Sequence, residues 1–236
     1  MTGRAGLPNL LAMDDAAFAK ARALLLAKIN DEARLTRAMT GRERFSDTVM
    51  AAMAAVPRHA FVSPKDRSVA YADRPQPIGH GQTISQPYMV ALMTEILDLT
   101  ATDRVLEIGA GSGYQTAVLA EVAGRVYTAE VISKLAAAAE ERIAELGYDN
   151  VAVRLGDGFK GWPEEAPFDA VIVTAAPEAI PDVLVEQLAT GGRLVIPIGK
   201  QHGAQTLIRG VKMADGSLQT KKVLPVAFVP MVSGKG

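Results

Sequence analysis

From Asp103 to Ile198 short apolar runs alternate with segments of helical period. Arg104–Ile108, Arg125–Ala129, Val151–Leu155, Asp169–Thr174 and Arg193–Ile198 read as five strands, apolar almost throughout, as strands covered on both faces are. Between them the segment from the glycine-rich turn after Ile108 through Ala120, then Ser133–Leu146 closed by Gly147, and Ile180–Leu188 following Pro177 and Pro181, read as helices. Strand–helix alternation predicts parallel βαβ units and a doubly wound α/β sheet. Thr206–Lys212 and roughly Lys222–Val229, separated by Asp215-Gly216, read as an antiparallel pair. Ahead of the sheet, Asp14 is a candidate helix cap, and Phe18, Ala21, Leu25 and Ile29 recur at helical spacing. A second helix is predicted from Ser46 to Ala55, with Val49, Met53 and Val56 on one face. Met89, Met93, Ile96 and Leu97 mark a third. The chain thus divides into a helical region, 1–70, that also leads into a loop, and an α/β domain, 71–236.

Composition narrows the function classes. The 236 residues suffice for one α/β domain with an appendage. A content of 49% hydrophobic and 22% charged residues excludes a disordered chain. Lys and Arg number 25 against 26 Asp and Glu, so there is no electrostatic reason to expect nucleic acid or an anionic membrane as partner. With no cysteine, disulfides, thiolate-held metals and a cysteine nucleophile are excluded, and a cytoplasmic location is expected. The three histidines, His59, His80 and His202, are scattered, so no metal site is expected. No run approaches the roughly 18 apolar residues of a spanning helix, and Asp14 and Asp15 argue against a signal peptide.

Val105-Leu106-Glu107-Ile108-Gly109-Ala110-Gly111-Ser112-Gly113 follows the first strand and opens a helix, where open α/β sheets bind ligands. The spacing is G-x-G-x-G, and Tyr114 stands where a dinucleotide fingerprint needs its last glycine, so a pyrophosphate cradle is imperfect. Glu107, just before the turn, repels phosphate and attracts a cation. Glu130 ends the second strand, placed to accept from ribose hydroxyls, and Gly156-Asp157-Gly158 ends the third. Three acidic groups at successive strand ends suit a cationic adenosine ligand, S-adenosyl-L-methionine; a generic turn with solvated carboxylates is the bland alternative.

Residues 75–88 hold three prolines, two glycines and the hydroxyls of Thr83 and Ser85. Ser85 before Pro87 reads equally well as a helix cap. At this loop the chain resembles the protein-L-isoaspartate (D-aspartate) O-methyltransferases. The matching stretches are Val56–Val62, Ala70–Asp73, Ile78–Pro87 with Thr83-Ile84-Ser85 at its centre, Val105–Tyr114, Gly156–Gly158, Gly161-Trp162, Ala166–Ala170, Thr174–Ala176, Gln187-Leu188, Gly191–Leu194, Pro197–Gly199 and Phe228–Pro230. The resemblance covers roughly 45–232. It implies a seven-stranded, Rossmann-like methyltransferase sheet and repair of aged protein, by methylation of the free carboxylate of L-isoaspartyl and D-aspartyl residues in proteins and peptides, with S-adenosyl-L-homocysteine as product. It implies that Ser85 is catalytic and touches the acceptor, that Ile78, Gly79, His80, Gly81 and Ser85 line the cofactor, and that Thr83, Ile84, Ser85 and Gln86 meet the substrate. Gly109, Gly111 and Gly113 would hold the methionine part, Glu130 the ribose, and Val131, Asp157 and Gly158 the adenine. Tyr88 stands where many members have His, and the first 40 or so residues exceed the family core. A monomer is the expected state.

The chemistry agrees with what is missing. A side-chain carboxylate, with a reference pKa near 4, is already ionised at neutral pH and needs no general base to attack a methyl group. The sequence offers no Asn/Asp-Pro-Pro-aromatic motif for amino methylation; Thr174-Ala175-Ala176-Pro177 stands in its place. Ser85 is therefore cast as a hydrogen-bond donor. An extended peptide can pair with this loop or with the last strand's edge near Val229. The competing readings are a methyltransferase for a small molecule, RNA or one dedicated peptide, a binding module without activity, and, weakest, a hydride-transferring oxidoreductase.

Overall fold

A computed structural model of the chain describes residues 15–200 and 203–234. The long helix α1, Asp15–Thr40, buries Leu25, Ile29 and Ala33, the stripe that the spacing predicts. Helix α2, Asp47–Ala55, is capped by Ser46, whose hydroxyl accepts from the Val49 amide at 3.3 Å. A short antiparallel hairpin follows, β1 (Gln76–Gly79) and β2 (Gln82–Ile84), and then α3, Pro87–Ile96. The hairpin is not expected from a proline-rich stretch; Pro77 and the positive φ of Gly79, His80 and Gly81 confine it to two short strands around a tight turn.

The main sheet comprises β3 (Arg104–Ile108), β4 (Arg125–Glu130), β5 (Val151–Leu155), β6 (Phe168–Val173), β7 (Leu188–Gly199), β8 (Gln205–Lys212) and β9 (Leu218–Val226). Their order is β5-β4-β3-β6-β7-β8-β9, with the first five parallel and the last two antiparallel. Helices α4 (Tyr114–Val122) and α5 (Ser133–Glu145) make the first crossovers, and α6 (Asp182–Glu186) leads into β7. Strand order reverses between β3 and β6, so their carboxyl ends flank the crevice where such sheets bind ligands. Val105 faces the cluster shared with α1–α4, while Leu106 and Ile108 face the second cluster with Tyr127, Phe168 and Leu194. Because Leu25, Ile29, Val49 and Met53 share that first cluster with Tyr114 and Ala117, the N-terminal helices pack into the same core as the sheet.

The boundaries that differ most from the sequence reading lie around β7 and β9. The helix predicted over 180–188 shrinks to α6, because Leu188 already pairs with Phe168 and β7 runs on through Gly191-Gly192. The last strand begins at Leu218, not Lys222, since a tight turn closes with the Met213 amide donating to the Ser217 carbonyl at 2.8 Å. It also ends at Val226, after Pro225. The chain then leaves β9 and crosses the carboxyl ends of the strands, the Ala176 amide donating to Val229 at 2.8 Å and the Met231 amide to Ala176 at 3.0 Å. Asp14 and His202 lie outside the described residues. Among those described, no helix is long and apolar enough to cross a membrane.

Candidate active site

Gly109, Gly111 and Gly113 all take positive φ (97°, 52° and 87°), which bends the chain sharply from β3 into α4. A Cβ on Gly109 would stand 2.6 Å from the Thr174 hydroxyl oxygen, so the end of β6 packs directly on the turn. That hydroxyl donates to the carbonyls of Ile108 and Gly109 at 3.1 and 2.7 Å. Gly113 faces elsewhere: a Cβ there would meet Ala139 and Phe61.

The Glu130 carboxylate closes the turn. It is 5% exposed and accepts from the Gly111 amide at 2.8 Å and the Ile132 amide at 2.9 Å. Two small cavities of about 50 Å³ each meet at Gln82, Gly109, Glu130 and Ala175. One runs over Gly111 and Ser112 to Thr83 and Ser85; the other lies between Val131, Ile132, Gly158 and Met231. Glu130 is the single charged residue lining either. A pyrophosphate would meet no cation here, whereas a cationic adenosine ligand meets one carboxylate, backbone amides and apolar walls for a flat ring. S-Adenosyl-L-methionine fits these residues.

Glu107 corrects the expectation of a carboxylate reaching a sulfonium. It is fully buried on the helix side of β3, takes a 2.5 Å hydrogen bond from the Thr116 hydroxyl, and lines neither cavity. Burial pushes its pKa up to about 8, against the lowering effect of the hydroxyls of Thr116 and Thr128. Its protonated form is therefore favoured well above the usual carboxylate range. Gly79, His80 and Gly81 form the exposed hairpin tip and line neither of these two cavities, whereas Gln82 lines both; Gly79 lines a separate space together with Gly111 and Ser112. Ile78 lies 3.5 Å from where a Gly111 Cβ would sit and lines that same space with Gly111 and Ser112. Asp157 caps the turn after β5, accepting from the Phe159 amide at 3.0 Å. Gly158 lines the Val131 cavity, and a Cβ on Gly234 would lie 3.3 Å from Val131 and 3.7 Å from Asp157.

The cavity over the turn opens past Thr83, Ser85, Thr174 and Val229 into a wider cleft of about 550 Å³. Gln86 lines this cleft, and Ile84, 3% exposed, lines the turn cavity behind it. Ser85 is not a cap. The cap of α3 comes from Asp73, which accepts from the Tyr88 amide at 2.9 Å and from the Gln86 side-chain amide at 3.0 Å. The backbone of Ser85 is held from below by Arg58, entirely buried, whose guanidinium donates to the Ser85 carbonyl at 2.7 Å and to the Ala70 carbonyl at 2.9 Å. It lies 4.7 Å over the Tyr114 ring, at the head of the helix that leaves the glycine turn. The Ser85 hydroxyl has no hydrogen-bond partner among the described residues and faces both spaces. Sequence reasoning placed Arg58 and Asp73 in matching stretches but gave them no role; an Arg and an Asp flanking a polar loop were the available signal.

A family model described as protein-L-isoaspartate(D-aspartate) O-methyltransferase matches residues 31–236. The chain belongs to this family. It is 49% identical over 220 residues to protein-L-isoaspartate O-methyltransferase 2 of Syntrophobacter fumaroxidans, covering 93% of this chain and 89% of that one. It is 51% identical to a protein of the same name from Polaromonas sp., over 88% and 98% of the two chains. Among solved structures, a protein-L-isoaspartate O-methyltransferase superposes with a TM-score of 0.77 at 29% identity, over 91% of this chain and 67% of that one. A Plasmodium falciparum structure described as a putative member, in complex with S-adenosyl-L-homocysteine, gives 0.72 at 26% identity, over 90% and 98%. In this family member no group of three or more His, Asp or Glu able to hold a metal occurs among the described residues.

Proposed function

We propose that the chain is a protein-repair methyltransferase that uses S-adenosyl-L-methionine to methylate the free carboxylate of L-isoaspartyl, and D-aspartyl, residues in damaged proteins and peptides. The observation that carries the reading is the continuous track of cavities, with one carboxylate at the glycine turn and an exit past Ser85 into the wide cleft. S-Adenosyl-L-methionine supplies an electrophilic methyl on a sulfonium and is released as S-adenosyl-L-homocysteine. The acceptor oxygen forms a bond to the methyl carbon as the carbon–sulfur bond breaks, so an anion and a cation become a neutral ester and a neutral thioether. The acceptor carboxylate is already ionised, so the chain supplies alignment and exclusion of water rather than a base.

In this reading the Ser85 hydroxyl, left free by Asp73, donates to the acceptor carboxylate, with Arg58 fixing the loop below it. Thr83, Ile84 and Gln86 complete the acceptor wall. Gly109 and Gly111 bracket the methionine part, with Gly113 turning the chain into α4 behind them, Glu130 takes the ribose hydroxyls, and Val131, Asp157 and Gly158 flank the adenine. Residues 71–236 form the methyltransferase domain and 1–70 a helical cover. The enzyme works as a cytoplasmic monomer on polypeptides, not on nucleic acid or membranes; the absence of Cys and the net charge of −1 support that assignment.

The test is methyl transfer from labelled S-adenosyl-L-methionine to two peptides that differ only in an isoaspartyl or an aspartyl linkage. Base-labile label on the isoaspartyl peptide alone is the expected result. Label on neither, with S-adenosyl-L-homocysteine still bound, overturns the assignment of substrate and retains the methyltransferase.

A further inference from the structure

The wide cleft has a wall that the sequence left unassigned. Helix α1 reaches it through Glu32 and Thr36, while Leu224 to Val229 form the apolar wall and Thr83, Ser85 and Gln86 bring the acceptor loop to it. The Thr36 and Tyr88 hydroxyls hydrogen-bond at 2.5 Å, and Thr36 also donates to the Glu32 carbonyl at 2.9 Å, one helical turn back. Tyr88 stacks on Phe45 with ring centroids 5.8 Å apart, which fixes the contact. Glu32 is half-buried and, among the described residues, is the one charged residue lining the cleft. Among the described residues it makes no ion pair; Lys28, one turn before it, is exposed and makes none either. Burial pushes the Tyr88 phenol above its ordinary value, the Thr36 hydrogen bond opposes the push, and the charges of Glu32 and Asp73 add to it.

An unpaired anion beside a site for an anionic acceptor costs affinity unless something else in the substrate repays it. Against an apolar wall its field is screened less than in bulk water. It repels an acidic neighbour of the acceptor and attracts a basic one, which is discrimination by repulsion and attraction together.

Resting on the repair reading above, we propose that Glu32 is a specificity-determining residue of this chain: with Thr36 and Tyr88 it forms a subsite for a Lys or Arg side chain flanking the isoaspartyl residue of the substrate polypeptide. The subsite belongs to the N-terminal helix, so the appendage selects among damaged sequences.

The experiment compares isoaspartyl peptides that are identical except for Lys, Gln or Glu one or two residues from the isoaspartate, on the full chain and on the Glu32→Gln and Glu32→Lys variants. For each enzyme preparation the ratio of kcat/KM for the Lys over the Glu peptide is read, which cancels any loss of folded protein. The wild-type ratio is expected to be about threefold to tenfold in favour of Lys. Glu32→Gln brings it close to unity and Glu32→Lys inverts it. A ratio that Glu32→Gln leaves unchanged, or a wild type blind to flanking charge, overturns the subsite. Failure of every isoaspartyl peptide to accept methyl instead overturns the repair reading, so the two failures are distinguishable.

Discussion

At the glycine turn the defining groups are near neighbours in the chain: Gly111, in the turn after β3, and the Glu130 carboxylate that holds it, at the end of the adjacent parallel strand β4, are 19 residues apart. Across the cleft, the acceptor loop is assembled from afar. Arg58 reaches 27 residues to Ser85, and Thr36 reaches 52 to Tyr88. The cofactor end is thus backbone geometry with one carboxylate, whereas the acceptor end is a set of side chains borrowed from α1, the short turn at Arg58–Phe61 and the bend at Asp73. The first can be built once and reused; the second must be rebuilt for each acceptor.

Substitutions at the two ends should therefore report different quantities. The largest effect is expected from Glu107, the buried acid beneath the turn. Its pKa in the fold, about 8, lies above the ordinary 4.5, so folding favours its protonated form. That contribution is complete below pH 4.5 and is lost as pH rises towards 8. Unfolding midpoints of the wild type should fall across that window relative to Glu107→Gln, by a few kcal/mol in stability, as denaturant titrations at pH 5 and pH 8 would read; parallel profiles would mean that the carboxyl is charged in the fold. Next, Glu130→Ala is expected to weaken S-adenosyl-L-homocysteine binding by about 2 kcal/mol, since a charge-assisted contact goes and the amides of Gly111 and Ile132 lose their acceptor. Calorimetry with undiminished affinity would remove Glu130 from the cofactor site. The smallest is Asp73→Ala, which costs about 1 kcal/mol of stability as a lost helix cap. It should lower kcat for the isoaspartyl peptide while S-adenosyl-L-homocysteine affinity holds. A loss of affinity instead would break the separation between the two ends.

What could be read from the sequence follows the same division. The strands from β3 to β7 announce themselves as apolar runs, and the turn, Glu130 and Gly158 sit at their ends by the logic of the fold. Glu107 misled because a strand alternates its side chains: adjacent to the turn along the chain, it points to the opposite face from Ile108 and is buried against Thr116. At the hairpin tip Gly79, His80 and Gly81 are required by the turn itself, so their residue types alone do not say which of them a ligand would meet. Ser85 could be read as cap or as site, because nothing local says that Asp73 supplies the cap. The roles of Glu32 and Thr36 depend wholly on α1 crossing to α3, a long-range contact that helical periodicity alone does not contain.

The strand at the sheet's margin has a consequence for an enzyme of this kind. Proteins that have aged into isoaspartate are often loosened, and their stray strands seek a partner with unsatisfied backbone groups. Strand β9 offers such a margin, yet Lys221 and Lys222 stand exposed along it and Pro225, near its end, has no backbone N–H to donate. Charge and proline are how natural sheets refuse uninvited strands. A repair enzyme built this way can handle misfolding-prone clients one damaged residue at a time without becoming a seed for their aggregation.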